Sequence, residues 1–116
     1  MCGIAGYFGN KNFDSNTIQK TLSILLRRGP DDQNYNKYEI NESKNLYFFH
    51  TRLSIIDLDS RSNQPLEDSL FSIIFNGELY NYLEIKKDLE SKGIKFSTLS
   101  DTEVILKGYQ IYGKDL

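Results

Sequence analysis

Residues 33–58, QNYNKYEINESKNLYFFHTRLSIIDL, decide the fold. Residues 33–40 and 46–50 have the aromatic and β-branched make-up of strands, and the polar stretch Asn41 to Asn45 between them reads as a turn. Leu53 to Asp57 (LSIID) reads as a further strand, so the segment predicts an antiparallel run. Upstream, Ile4 to Phe8 is a short strand stopped by Gly9-Asn10. Ile18, Leu22, Leu25 and Leu26 then recur at helical spacing behind the cap candidates Asp14, Ser15 and Asn16. Arg28-Gly29-Pro30-Asp31-Asp32 predicts a chain reversal, because Gly and Pro break the helix and Pro30 pushes Gly29 away from helical backbone.

Downstream, a loop holding Gln64-Pro65 leads to Leu70–Phe75, an apolar run of strand length. Tyr82, Ile85 and Leu89 follow at helical spacing up to Gly93. Ser100-Asp101-Thr102-Glu103 has the S-x-x-E spacing of a capping box, opening a last helix with Val104, Ile105, Tyr109 and Tyr112 inward. The order is strand, helix, four strands, helix, short strand, helix. It predicts an α+β fold with a largely antiparallel sheet and helices on one face.

A chain of 116 residues with 39% apolar content suits one domain, whose core buries roughly two-thirds of the unfolded surface. Formal charge is -2 and no long block of like charge occurs, so neither nucleic acid nor an anionic membrane is an expected partner. The single Cys cannot form an internal disulfide. One Cys and one His fall short of the three or four ligands of a protein zinc site, and no metal is expected. The lone thiol suits a reducing compartment. No basic-flanked leader and no run of about 18 apolar residues is present, so a cytoplasmic location is expected.

Four places hold chemistry of interest. Cys2 follows Met1 directly; with Met1 removed, its thiol and α-amine share one residue. That amine, with a reference pKa near 7.7–8.0, serves as a built-in base. Position alone leaves open a small buried hydrophobe. In FNGELYN, residues 75–81, Asn76-Gly77 follows a strand as in a hairpin, yet Glu78 to Lys92 is helical in spacing. An Asn amide and a Gly N–H at such a crossover are suited to one oxyanion. Arg52 in HTRLSIID suits a carboxylate through a bidentate pair or an exposed ion pair, and His50 reads as a hydrogen-bonded structural histidine. Asp101 reads as a counter-charge for a ligand ammonium or as a carboxylate at a helix N-terminus. Ser100 and Glu103 need only the capping explanation.

Together these segments resemble the N-terminal glutaminase domain of glutamine-hydrolysing asparagine synthetases, class II glutamine amidotransferases with an N-terminal nucleophile. MCGIAGYFG at the start, RGPDD at 28–32, HTRLSIIDL at 50–58, NQPL at 63–66, FNGELYN at 75–81 and SDTEVIL at 100–106 match that family in order and spacing. The resemblance covers residues 1–116 as one type-2 glutaminase domain, and implies a four-layer αββα sandwich. The chain stops at Leu116, before the family's glutaminase domain ends, so a C-terminally truncated, incomplete sandwich is expected. Arg27 stands where the family often has His.

The resemblance implies Cys2 as nucleophile with its α-amine as base, and Asn76 with the Gly77 N–H as oxyanion hole. It implies that Arg52 holds the glutamine α-carboxylate, that Leu53, Ser54, Ile55 and Ile56 line the pocket, and that Glu78 and Asp101 hold the α-ammonium. Glutamine would give glutamate and ammonia through a thioester, the ammonia passing to a synthetase domain or subunit that activates aspartate. No cofactor is expected in this chain, ATP and Mg belonging to that synthetase domain. An open sheet would favour homo-oligomers or another association. Two other readings stay open: a non-catalytic remnant or association module, and the glutaminase part of another class II amidotransferase, such as one serving sugar or surface-polysaccharide biosynthesis.

Overall fold

The aromatic run at 46–50 has no face suited to water, and the fold places it between two other strands. The computed structural model describes residues 1–55 and 57–116. β1 (Gly3–Gly9), β2 (Asp32–Asn41) and β3 (Lys44–Arg52) form an antiparallel sheet in the order β1-β3-β2. β2 and β3 turn at Glu42-Ser43, where the Asn41 carboxamide oxygen accepts from the Ser43 N–H at 3.0 Å and its hydroxyl at 3.1 Å. That local bond shortens the turn, so both strands run further than their composition indicates.

Side chains alternate across the pleat. Tyr47 and Phe49 face α1 (Ser15–Leu25), which brings Ile18 and Leu22 into the same buried cluster. Full burial of such side chains stabilises by roughly 1.5–3 kcal/mol each. Tyr47 is 1% exposed, and its hydroxyl accepts from the Phe13 N–H at 3.1 Å, so the phenol is not left unsatisfied. α1 begins where Asp14 accepts from the Thr17 N–H at 2.7 Å.

On the other face of the sheet, Tyr38 meets a two-stranded ribbon, β4 (Leu66–Glu67) and β5 (Ser72–Ile73). Its hydroxyl lies 2.8 Å from Glu67 Oε2 and 2.6 Å from Ser72 Oγ. Behind the ribbon packs α3 (Asp101–Tyr112), itself packed on α2 (Tyr82–Ser91), with Leu89 and Val104 wholly buried. Asp68 ties ribbon to helix: its carboxylate accepts from the Leu70 and Phe71 N–H groups and from Gln110, 3.8 Å from Lys107. Burial works to raise its pKa, but those backbone donors and the Lys107 ammonium outweigh it and hold the carboxyl below its ordinary range. The layers therefore run α1, three-stranded sheet, ribbon, α2 with α3.

Several sequence expectations need correction. Helices lie on both sides of the sheets. Among its described residues Leu53–Asp57 is no strand, because its backbone groups serve side chains of other segments. Of Leu70–Phe75 only Ser72–Ile73 is strand, paired with Leu66–Glu67, which was read as loop. Among the described residues none between α2 and α3 is a strand. Ser100 does cap α3, accepting from the Thr102 N–H at 3.1 Å. Glu103, however, turns to Ser97 and Thr98, taking the Thr98 N–H at 2.7 Å and hydroxyl at 2.6 Å, so the capping box is half formed. Tyr109 is 44% exposed, and Leu106 takes the inward position. α2 ends as its spacing indicates: Gly93, at φ +87°, lets the Ile94 N–H reach the Leu89 carbonyl. Among the described residues no helix is long and apolar enough to cross a membrane.

His50 in β3 is fully buried, and neither ring nitrogen has a partner of good hydrogen-bond geometry among the described residues, the Phe75 backbone lying near the ring outside that geometry, contrary to the expected bonded histidine. Burial depresses its pKa from 6.5 to about 4; the Phe75 backbone opposes this and the Arg52 charge adds to it. The unfolded chain therefore binds a proton that the folded chain refuses between these values. Stability should fall as pH drops from about 6.5 toward 4, by on the order of 2 kcal/mol. Urea unfolding at pH 7.5 and 5.0 should show that loss, and His50→Leu should remove this part of the slope.

Candidate active site

Gly29 sets the site's first constraint. It is buried, and a Cβ there would lie 2.4 Å from the Thr51 carbonyl oxygen, so only glycine lets the 28–32 turn press on the end of β3. From that turn Arg28 Nε donates to the Cys2 carbonyl at 3.3 Å. Asp31 donates its N–H to the Arg52 carbonyl at 2.9 Å and accepts from the Ser54 N–H at 2.7 Å. The start of β1 and the exit of β3 are thereby held together. The Leu53 N–H points at Cys2 Sγ over 3.4 Å, and Sγ lies 3.8 Å from the Leu53 carbonyl.

Arg52 is 5% exposed. Its guanidinium donates to the Asp59 carbonyl at 3.0 Å, to Asn63 Oδ1 at 2.6 Å and to the Asp57 carbonyl. Wrapping these acceptors around one cation bends the 57–63 segment into a loop, with Asp57 at φ +50° and a 3-10 turn at Ser60–Ser62. The Asp57 carboxylate accepts from the Ser62 hydroxyl and the Leu99 N–H, each at 2.7 Å, and these two bonds lower its pKa. Leu99 directly precedes the Ser100 cap of α3, so the loop is tied to that helix.

Gln64 continues the same loop. Its side-chain oxygen accepts from the Phe75 N–H at 2.6 Å, and its nitrogen donates to Thr102 Oγ1 at 3.1 Å. Asn76 and Gly77 follow Phe75, and the Leu79 N–H donates to Asp101 Oδ2 at 2.9 Å. The Asn-Gly segment is thus pinned at both ends and leads into α2 rather than a hairpin.

These segments enclose a cavity of about 340 Å³. Cys2, Arg52, Asn76, Gly77, Glu78 and Asp101 all line it, together with Leu53 and Ile55. Ser54 turns its N–H to Asp31 instead, and Ile56 lies outside the described residues. Asp101 is 6% exposed at the first turn of α3, as the helix-terminus reading has it, and it also lines the cavity. Arg27 is exposed. Gln64, Ser62, Tyr80 and Thr102 also line the wall but carry no role from the sequence reasoning; the one signal was Gln64 beside Pro65 in NQPL. Met1, 69% exposed, stands at the mouth and holds the Cys2 nitrogen in a peptide bond. Among the described residues, no three His, Cys, Asp or Glu side chains are grouped to hold a metal ion.

The cavity therefore combines a thiol, a cation, two carboxylates and an amide donor, a set that fits a small zwitterion with a polar side chain. The profile of the glutamine amidotransferase domain family matches residues 1–116. Glutamine-hydrolyzing asparagine synthetase 1 of Bacillus subtilis is 40% identical over 122 residues, covering 99% of this chain and 18% of that protein. Glutamine-hydrolyzing asparagine synthetase 3 of the same organism is 34% identical, over 99% and 19%. Putative glutamine-hydrolyzing asparagine synthetase 2 of Methanocaldococcus jannaschii is 36% identical, over 99% and 25%. The chain thus spans a quarter or less of the length of these relatives.

Gly29→Ala should push the 28–32 turn off Thr51, destabilise the fold by about 1–3 kcal/mol and loosen the Cys2–Leu53 contact. Urea midpoints, with the alkylation rate of Cys2 measured well below the midpoint, check both effects; an unchanged midpoint would contradict the close approach.

Proposed function

Since this chain belongs to the glutamine amidotransferase domain family, we propose that it is the glutamine-hydrolysing part of an asparagine synthetase, working through Cys2. The observation that carries this reading is the convergence on one cavity of the chain's only cysteine with Arg52, Asn76, Glu78 and Asp101, from separate segments. The order of layers supports the further reading of the fold as part of an αββα sandwich of the N-terminal-nucleophile kind.

Removal of Met1 frees the Cys2 α-amine, which takes the thiol proton as sulfur attacks the side-chain carboxamide carbon of glutamine. The carbonyl electrons move to oxygen, and that oxyanion is met by the Asn76 side-chain N–H and the Gly77 backbone N–H. Collapse expels ammonia, protonated from the Cys2 ammonium, and leaves a thioester; water then cleaves it to glutamate and free thiol. Arg52 meets the substrate α-carboxylate, the Asp57 and Asp59 backbone carbonyls and the Asn63 side-chain oxygen fixing its orientation. Glu78 and Asp101 meet the α-ammonium, and Leu53 and Ile55 line the pocket. The ammonia goes to a synthetase domain or subunit, where ATP with Mg activates aspartate; no residue of this chain is assigned to that step.

A binding-only role is the second reading, favoured by exposed apolar side chains on β1, Ile4 at 42% and Phe8 at 63%, which suit association. Glutamate release by protein whose Met1 removal is verified by intact mass separates the two. The parent should hydrolyse glutamine and Cys2→Ala should fall to background; equal rates would reject the enzyme reading. Asn76→Ala should lower kcat about 100- to 1000-fold while leaving Cys2 open to alkylation.

A further inference from the structure

Phe75 and Thr102 lie on separate segments of the cavity wall, and one buried carboxamide joins them. Gln64 is 6% exposed and Thr102 is 2% exposed, so both carry out most of their polar pairing within the protein. The carboxamide meets both demands: its oxygen accepts from the Phe75 N–H at 2.6 Å and its nitrogen donates to Thr102 Oγ1 at 3.1 Å. Asn76 adjoins Phe75, and Asp101 adjoins Thr102. The Leu79 N–H bond to Asp101 Oδ2 closes the circuit on the other side. Gln64, Phe75, Leu79, Asp101 and Thr102 thus form a ring of hydrogen bonds and chain, closed through residues 76–78, of which the Asn76-Gly77 segment is one side. With the Gln64 bridge cut, that segment loses the tie at Phe75 to α3 and keeps the one at Leu79.

We propose that Gln64 is the positioning residue that fixes the Asn76-Gly77 donors relative to the Asp101 carboxylate. It acts through the Phe75 amide and the first turn of α3, and does not itself meet the reacting atoms. The catalytic consequence rests on the glutaminase reading; the coupling of the two walls does not. A displaced oxyanion donor is felt in the transition state far more than in ground-state binding, so the loss belongs in kcat.

The test uses Gln64→Met, of equal length without hydrogen bonding, and Thr102→Val, which removes only the hydroxyl. Amide hydrogen exchange is followed on the whole chain. Either variant should speed exchange at both 75–79 and 99–103 by about tenfold or more, with β1 and β3 unchanged. Loosening confined to the mutated side would overturn the proposal. On Met1-free protein, Gln64→Met should lower kcat roughly 10- to 100-fold with KM within about threefold of the parent. The double variant should be no worse than Gln64→Met alone, since one bridge can be cut only once; additive losses, or a loss confined to KM, would overturn it. Should the parent release no glutamate, the glutaminase reading fails and the exchange pattern alone decides whether Gln64 couples the walls.

Discussion

A buried guanidinium organises this protein. A cation withdrawn from water must be surrounded by acceptors, or the desolvation cost exceeds what the fold can supply. Arg52 meets that requirement by drawing in the Asp57 and Asp59 carbonyls and the Asn63 side chain. The 57–63 segment therefore curls around the end of β3 instead of leaving as a strand. Everything beyond it inherits that path: Asp57 reaches Leu99, Gln64 reaches Phe75 and Thr102, and the two later helices are brought opposite Cys2.

The parts of the fold legible in the sequence are those governed by local pattern. β1, β2, β3 and α1 follow from alternation, helical spacing and a cap, all of which act within a few residues. Leu53–Asp57 was misread for a reason of scale. Its composition is that of a strand, but Arg52 and Asp31, with contacts up to 23 positions away, claim its backbone groups. Glu103 shows the same effect: the S-x-x-E spacing is correct, yet the donors at Ser97 and Thr98 offer a buried carboxylate more bonds than the Ser100 N–H alone. The placement of helices on both sides depends on the Tyr38 contacts with Glu67 and Ser72, about thirty positions away, which no periodicity encodes.

The candidate site was legible in a different way. Each residue alone has a bland reading, a buried thiol, an ion pair, a hairpin or a helix-end carboxylate, and only the ordered set of segments singles out Cys2, Arg52, Asn76 and Asp101 as candidates. The cavity unites them. What stayed hidden were the connectors, Gln64, Asp57 and Asp31, whose importance lies in which backbone amide they reach. A Gln before Pro or an Asp in a loop carries no mark of its distant partner.

β1 joins the sheet through β3 alone, and Cys2 meets Leu53 across 51 positions of sequence. The chain's one thiol therefore gains its surroundings only through long-range closure, after β3 has neighbours to offer. An unfolded or half-made copy carries the same atom in ordinary solvent, with Asn76 and Asp101 elsewhere. The thiol is in this sense a native gauge of completion, its environment recording whether the ends of the chain have met.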